Sequence, residues 1–258
     1  MFTRQLEKLS TGGLELEVFL VPWDSEIFGF PVAQIERVVV NDAAKSNDGM
    51  GRLRAWFDSN SIRFASCRLP SDRLRESMLL EANGFRFIEM TYSPSLSPLA
   101  CPTDDCGDLT ISEARPDQLD SIEAIAEDAF TTGRFVLDWR LDPKAGHLRY
   151  RRWVRNSAGD PQQKTLIATL DGAIVGFFVV ETDSHGRAYW HLTAIASQWR
   201  HRGMGKRLWA AIIALHYAEG VQKIETTISA HNVAVMNLYA RYGFKFEKPQ
   251  MTFHWLRL

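Results

Sequence analysis

The spacing of apolar residues changes along the chain in a way that marks its elements. Trp190-His191-Leu192-Thr193-Ala194-Ile195-Ala196 is a short apolar run of strand type, and Lys206-Arg207-Leu208-Trp209-Ala210-Ala211-Ile212-Ile213-Ala214-Leu215 reads as a helix. Between them stand Arg200-His201-Arg202-Gly203-Met204-Gly205. Downstream, Val221 to Ser229 is enriched in β-branched residues and predicts a strand. The stretch after it predicts a helix, with Asn232 as N-cap and Gly243 as terminator, and Phe244 then opens the last strand. Upstream, Leu119, Ile122, Ile125, Ala126 and Phe130 recur at roughly helical spacing and predict a helix over 117–130.

Residues 93–108 are rich in Pro, Ser and Asp, which predicts a linker between an N-terminal domain (1–92) and a C-terminal domain (109–258). The two parts echo one another. Ser71 to Phe87 aligns with Ala230 to Phe246, so that Gly84 matches Gly243 and each is followed by a Phe-basic-Phe triplet. Leu80 stands at the place of Tyr239 and Arg73 at that of Asn232, and no glycine turn like 200–205 precedes the first copy. The other reading is that helix–Gly–strand endings look alike by chance.

Composition narrows the class. The 258 residues are 45% hydrophobic and carry a formal net charge of −1, which gives no general attraction to nucleic acid or to membranes. No apolar run reaches the ~18 residues of a membrane-spanning helix. Met1 to Glu7 mixes charges of both signs and lacks a signal-peptide core, so a cytoplasmic location is expected. Cys67, Cys101 and Cys106 are odd in number and form no CxxC pair, which argues against a disulfide framework or a zinc site. The seven histidines have no metal-ligand spacing, and no metal is expected.

The glycine turn carries the candidate chemistry. A strand that runs through glycines into a helix start leaves backbone N–H groups unpaired and pointing one way, an anion site reinforced by the helix dipole. Gly203 and Gly205 allow close approach, and Arg200, Arg202 and Lys206 add positive charge. A basic turn that merely reverses the chain is the alternative. The spacing fits neither a dinucleotide fingerprint nor a P-loop. It does match Arg-x-x-Gly-x-Gly, and residues 232–244 match Asn-x-x-Ala-x-x-x-Tyr-x-x-x-Gly-Phe closely. In this order the two motifs resemble those of the GCN5-related N-acetyltransferases (GNAT). The resemblance implies a mixed α/β fold with a complete C-terminal acetyltransferase domain, in which Leu109 to Asp117 supplies the first strand and helix start. It implies a partial, degenerate copy of that fold in the N-terminal part.

What the resemblance implies for the site is specific. Acetyl-CoA is the cosubstrate. Its diphosphate is held by Arg200, His201, Arg202, Gly203, Met204, Gly205 and Lys206, and its pantetheine pairs with the backbone of Thr193, Ala194 and Ile195. Asn232, Met236 and Tyr239 line the cofactor from the following helix, the Thr193 N–H serves as oxyanion donor, and Tyr239 is the general acid for the departing thiolate. A packed helix tyrosine is the plain alternative for Tyr239. Many such enzymes take the amine proton with a Glu on the strand before the turn; here Tyr189 stands there. His191 and Glu181 are nearby candidates for acceptor contact or base, a water chain is another route, and the base stays unassigned.

Two more stretches concern the acceptor. Pro22-Trp23-Asp24-Ser25-Glu26-Ile27-Phe28-Gly29-Phe30-Pro31, and the segment from Ala129 through Arg134, Phe135 and Trp139 to Tyr150-Arg151-Arg152-Trp153, resemble the dTDP-fucosamine acetyltransferase family. That resemblance implies a nucleotide-linked 4-amino sugar as acceptor, with Arg134, Phe135 and Trp139 as candidate contacts. An arginine among aromatic residues suits phosphate and base or sugar faces, although Phe130 and Phe135 could equally pack a domain junction. Other acceptors (an amino acid, an antibiotic, a protein N-terminus) and a catalytically silent module are the competing readings. A homodimer is left open by the sequence.

Overall fold

The computed structural model describes residues 5–257, so residues 1–4 of the N-terminal stretch considered above lie outside the described residues. Among the described residues there are eight α-helices and two mixed sheets. The chain forms two compact units, one comprising residues up to Thr91 with Leu137–Leu141 and Lys248–Leu258, the other Tyr92–Val136 with Asp142–Glu247.

The first unit contains β1 (Glu7–Lys8), β2 (Leu14–Leu20), α1 (Pro22–Phe28), β3 (Val32–Val40), α2 (Ser46–Ser59), β4 (Phe64–Pro70), α3 (Leu74–Ala82) and β5 (Arg86–Tyr92). The second contains β6 (Pro94–Leu96), β7 (Thr110–Glu113), α4 (Leu119–Ala129), α5 (Arg134–Leu137), α6 (Pro143–Ala158), β8 (Gln163–Leu170), β9 (Ala173–Thr182), β10 (Arg187–Ile195), α7 (Met204–Ala218), β11 (Lys223–Thr226), β12 (Ile228–Ser229), α8 (Val233–Arg241) and β13 (Lys245–Phe246). The final strand, β14 (Gln250–Leu256), lies in the first unit.

The echo seen in the sequence extends to topology. In the first unit β2 and β3 are antiparallel and β3 and β4 parallel. In the second, β9 and β10 are antiparallel and β10 and β11 parallel. The same middle strand carries an extra residue in each, Glu36 in β3 and His191 in β10. The aligned helices end alike: Phe85 donates its N–H to the Leu80 carbonyl and Phe244 to the Tyr239 carbonyl, both at 3.0 Å. Between each pair sits a left-handed glycine, Gly84 at φ 87° and Gly243 at φ 78°.

Each sheet also holds a strand from the other half of the sequence. β14 inserts between β4 and β5, and β6 inserts between β11 and β13. Three sequence expectations change accordingly. Phe244 precedes only the two-residue β13, and the last strand is β14. Part of the stretch read as linker is strand β6. The strand expected over 221–229 is interrupted at Thr227, whose hydroxyl is 2.8 Å from the phenol oxygen of Tyr189.

The second sheet is covered on both faces. Phe178, Val180, Trp190, Trp209 and Tyr239 form one core with α7 and α8, while Phe177, Val179, Leu192 and Ala194 form another with Ile122 of α4 and Val154 of α6. Side chains alternate along a regular strand, so Trp190 and Leu192 should share a face. The extra residue at His191 puts them on opposite faces.

Candidate functional site

The bulge coincides with a fork. β10 and β11 pair from Arg187↔Lys223 through Trp190↔Thr226, and the pairing ends there, while β10 runs on to Ile195 alongside β9. Ala196 donates its N–H to Val175 on the β9 side. By strand alternation the Ala194 N–H points the same way, and the N–H and C=O groups of Thr193 and Ile195 point into the fork. The Ile195 carbonyl is taken by Arg200 Nε at 2.9 Å. The backbone edge at Thr193 is thus presented towards the gap, as an added extended chain would need.

Beyond the fork, the chain turns through His201 (φ 60°) and Gly203 (φ 74°) into α7. Gly203 is the N-cap, exposed, and a side chain placed there would enter open space, so no side chain of the turn covers the helix start at this position. Gly205 has a different role. A Cβ there would meet Leu238 of α8 at 3.4 Å and Ile195 at 3.8 Å, so this glycine lets the helix start lie close to β10 and α8. Arg202 and Lys206 are both exposed beside this turn. Arg200 turns inward: besides Ile195 it pairs with Asp128 at 3.0 Å, tying the turn to α4. The helix-start amides and exposed cations of this turn are a donor set that fits a diphosphate.

Asn232 caps α8, its side-chain oxygen accepting the Val235 N–H at 3.3 Å. Met236 is half-buried against the α7–α8 core, and Tyr239 is buried at 3% exposure among Trp190, Trp209 and Phe244. Burial pushes the Tyr239 phenol pKa up, opposed in part by its hydrogen bond to Thr226. Thr226 in turn donates to the Trp190 carbonyl at 2.8 Å, at the point where the strands part. Thr226 and Thr227 thus pin the closed end of the fork, one to Trp190 and one to Tyr189. Neither was singled out by sequence, because nothing in a Thr-Thr pair marks where two strands diverge.

On the opposite face of β10 lies a polar group that the sequence left as separate candidates. His191 Nε2 is 2.9 Å from Glu181 Oε2, and the His191 ring stands edge-on to Tyr189, with centroids 4.8 Å apart, and 6.3 Å from Trp153 of α6. Both side chains keep access to solvent, 19% for His191 and 34% for Glu181.

Among the acceptor candidates, Phe135 is joined to the His191–Glu181 pair through Arg149, whose guanidinium lies 4.6 Å from the Phe135 ring centre and 5.2 Å from that of Trp153. Phe135 is buried, with the Arg134 guanidinium 4.4 Å from its ring centre. Phe130 stacks on Tyr150 at 4.4 Å. Trp139 lies in the 137–141 segment counted with the first unit and is 89% exposed. Its neighbour Asp138 is buried, hydrogen-bonded to His254 at 2.9 Å and to Arg140 at 2.8 Å. Burial opposes the charged carboxylate there, but those two bonds outweigh it and hold the carboxyl well below its ordinary range.

Comparison with known proteins agrees with this geometry. The Acetyltransferase (GNAT) family model matches residues 120–244. The spore coat polysaccharide biosynthesis protein SpsD of Bacillus subtilis (strain 168) is 18% identical over 244 residues, covering 90% of this chain and 80% of SpsD. The L-amino acid N-acetyltransferase AaaT of Escherichia coli (strain K12) is 28% identical over 101 residues, 37% of this chain and 61% of AaaT. A GCN5-related N-acetyltransferase from Sphaerobacter thermophilus has the same fold at TM-score 0.65 and 14% identity, over 93% of this chain and 76% of its own. A tandem GNAT protein from the clavulanic acid biosynthesis pathway superposes at TM-score 0.59 and 15% identity, over 95% of this chain and 80% of its own. No described helix is long and apolar enough to cross a membrane. With the forked β10–β11 pair and the glycine turn inside the matched segment, residues 120–244 form an acetyltransferase domain of the GNAT family.

Proposed function

We propose that this chain transfers the acetyl group of acetyl-CoA to the primary amine of a nucleotide-linked amino sugar of the dTDP-4-amino-4,6-dideoxyhexose type, by direct attack in a ternary complex. The observation that carries the acetyl-CoA part is the pairing of the open Thr193 edge with the uncovered, glycine-capped start of α7 at Gly203, one suited to an extended amide chain and the other to a diphosphate. The amides of residues 202–206, with Arg202 and Lys206, hold the diphosphate. Arg200 acts indirectly, by fixing the Ile195 carbonyl and the turn.

The Thr193 N–H faces the thioester oxygen and stabilises the charge that develops on it. Tyr239 gives its proton to the departing sulfur. Its burial keeps the phenol protonated at neutral pH, and a thiolate formed in the same apolar surroundings is correspondingly more basic than in water.

The nucleotide-sugar acceptor draws support from SpsD, a polysaccharide biosynthesis protein whose similarity runs along nine-tenths of the chain. An amino acid acceptor is the second reading, favoured by the similarity of a 101-residue stretch to the L-amino acid N-acetyltransferase AaaT. An acceptor screen that follows CoA release separates the two. Turnover of dTDP-4-amino sugars with none on free amino acids is expected, and the reverse pattern would replace the first reading with the second.

A further inference from the structure

Resting on the acetyl-transfer reading, we infer that His191 is the proton acceptor for the attacking amine and that Glu181 orients it. Three features lead there. The first is the pair itself, with Nε2 and Oε2 at 2.9 Å. An ionised carboxylate only accepts hydrogen bonds, so the shared proton sits on Nε2 and Nδ1 is the basic nitrogen. Nδ1 makes no hydrogen bond with the described residues.

The second is the place of His191 at the bulge. It is the residue that has no partner in the β9 ladder, at the position where β10 leaves β11. An inserted residue of this kind re-aims a side chain. The third is the division of faces. Tyr239 belongs to the α7–α8 core, whereas His191, Tyr189 and Glu181 lie on the α4–α6 side with Trp153. A thioester lying in the fork would have the donor of a proton on one face of the sheet and the acceptor on the other. The amine approaching from the α4–α6 side would meet His191 first.

The step balances. A bond forms between the amine nitrogen and the acetyl carbon as the carbon–sulfur bond breaks with its electron pair going to sulfur. The amine proton passes to His191 Nδ1, and sulfur takes the phenol proton of Tyr239. The products are the acetamide and CoA thiol, and solvent exchange returns the proton from His191 and restores that of Tyr239.

The groups facing His191 are the Glu181 carboxylate from β9, the Tyr189 phenol from its own strand and the Trp153 ring from α6. Glu181 is therefore the partner to alter alongside it. The test measures kcat/KM against pH for whichever of a dTDP-4-amino-4,6-dideoxyhexose, a set of free L-amino acids and a simple alkylamine the full-length protein acetylates, with acetyl-CoA affinity measured separately by calorimetry. His191→Gln is expected to lower kcat about 10²–10⁴-fold and to abolish the acidic limb of the profile, with acetyl-CoA affinity unchanged within threefold. Glu181→Gln is expected to give a smaller loss in kcat, and added imidazole to restore part of the rate of His191→Ala. A His191→Gln protein that keeps kcat and the acidic limb overturns the role of His191 while leaving acetyl transfer standing. Acetyl-CoA binding without turnover of any of these amines overturns the acetyl-transfer reading and this inference with it.

Discussion

His216 Nε2 accepts the indole N–H of Trp190 at 3.0 Å, beneath the ring cluster that encloses Tyr239. The bond requires a neutral His216, since a protonated ring has no acceptor nitrogen. Burial pushes the His216 pKa down, and the Glu219 carboxylate 3.4 Å from Nδ1 only partly opposes this. A depressed folded-state value means that the unfolded chain takes up the proton first. The stabilisation is complete above the ordinary histidine value near ~6.5 and is lost as pH falls below it. Denaturant unfolding at pH 7.5 and pH 5.5 should show a decrease of up to about 1.4 kcal/mol per pH unit from this group. His216→Gln should flatten that dependence.

Removing the phenol of Tyr239 should separate chemistry from binding. Tyr239→Phe keeps the ring against Trp209 and Phe244 and loses the hydroxyl bound to Thr226. A decrease of roughly 10²–10⁴-fold in kcat is expected, the usual scale for a lost general acid, with acetyl-CoA affinity little changed. Steady-state kinetics beside calorimetry reads both, and a near-normal kcat would remove Tyr239 from the chemical step.

Gly203→Val should do the opposite. The new side chain would stand in the open space before α7, on a residue whose φ of 74° costs an ordinary L-residue about 1–2 kcal/mol. Acetyl-CoA affinity should fall at least about tenfold, equivalent to 1.4 kcal/mol or more. The melting temperature of the variant, measured without ligand, distinguishes lost binding from lost fold.

The first unit should bind no acetyl-CoA, because its own fork is occupied. β3 and β4 pair from Val32↔Phe64 to Ile35↔Cys67 and then part, as β10 and β11 do, but the buried Glu76 of α3 reaches across and accepts the Val40 N–H at 3.0 Å. One acetyl-CoA per chain is expected by calorimetry. Glu76→Ala should cost about 1–3 kcal/mol in unfolding free energy by stranding that amide, with the stoichiometry still one. Glu76→Gln, which keeps an acceptor oxygen, should cost less.

The sequence was informative where a local rule applies and silent where the rule is spatial. Asn232 and Gly243 could be read as helix ends because capping and the left-handed terminator are properties of a few consecutive residues. The glycine turn was legible for the same reason. The attachment of the Arg200 guanidinium to Ile195 and Asp128 was not, since it depends on how α4 packs. Glu181 and His191 are ten residues apart on different strands, and only the register of β9 and β10 brings them to 2.9 Å. The bulge at His191 leaves no sequence mark either, since a one-residue insertion looks like any other strand residue until its partner strand is known.

The exchanged strands set an order on biosynthesis. β14 lies in the middle of the first sheet, with Phe253 and His254 fully buried, yet it is made only after residues 92–247 have been synthesised. The segment that holds β4 and β5 must therefore wait, with their facing edges unsatisfied, until the acetyltransferase segment has been synthesised. β6, by contrast, emerges before the strands it joins and is ready when β11 and β13 appear. The acetyltransferase sheet has all its strands before β14 is made, so the sheet encoded first is the one completed last.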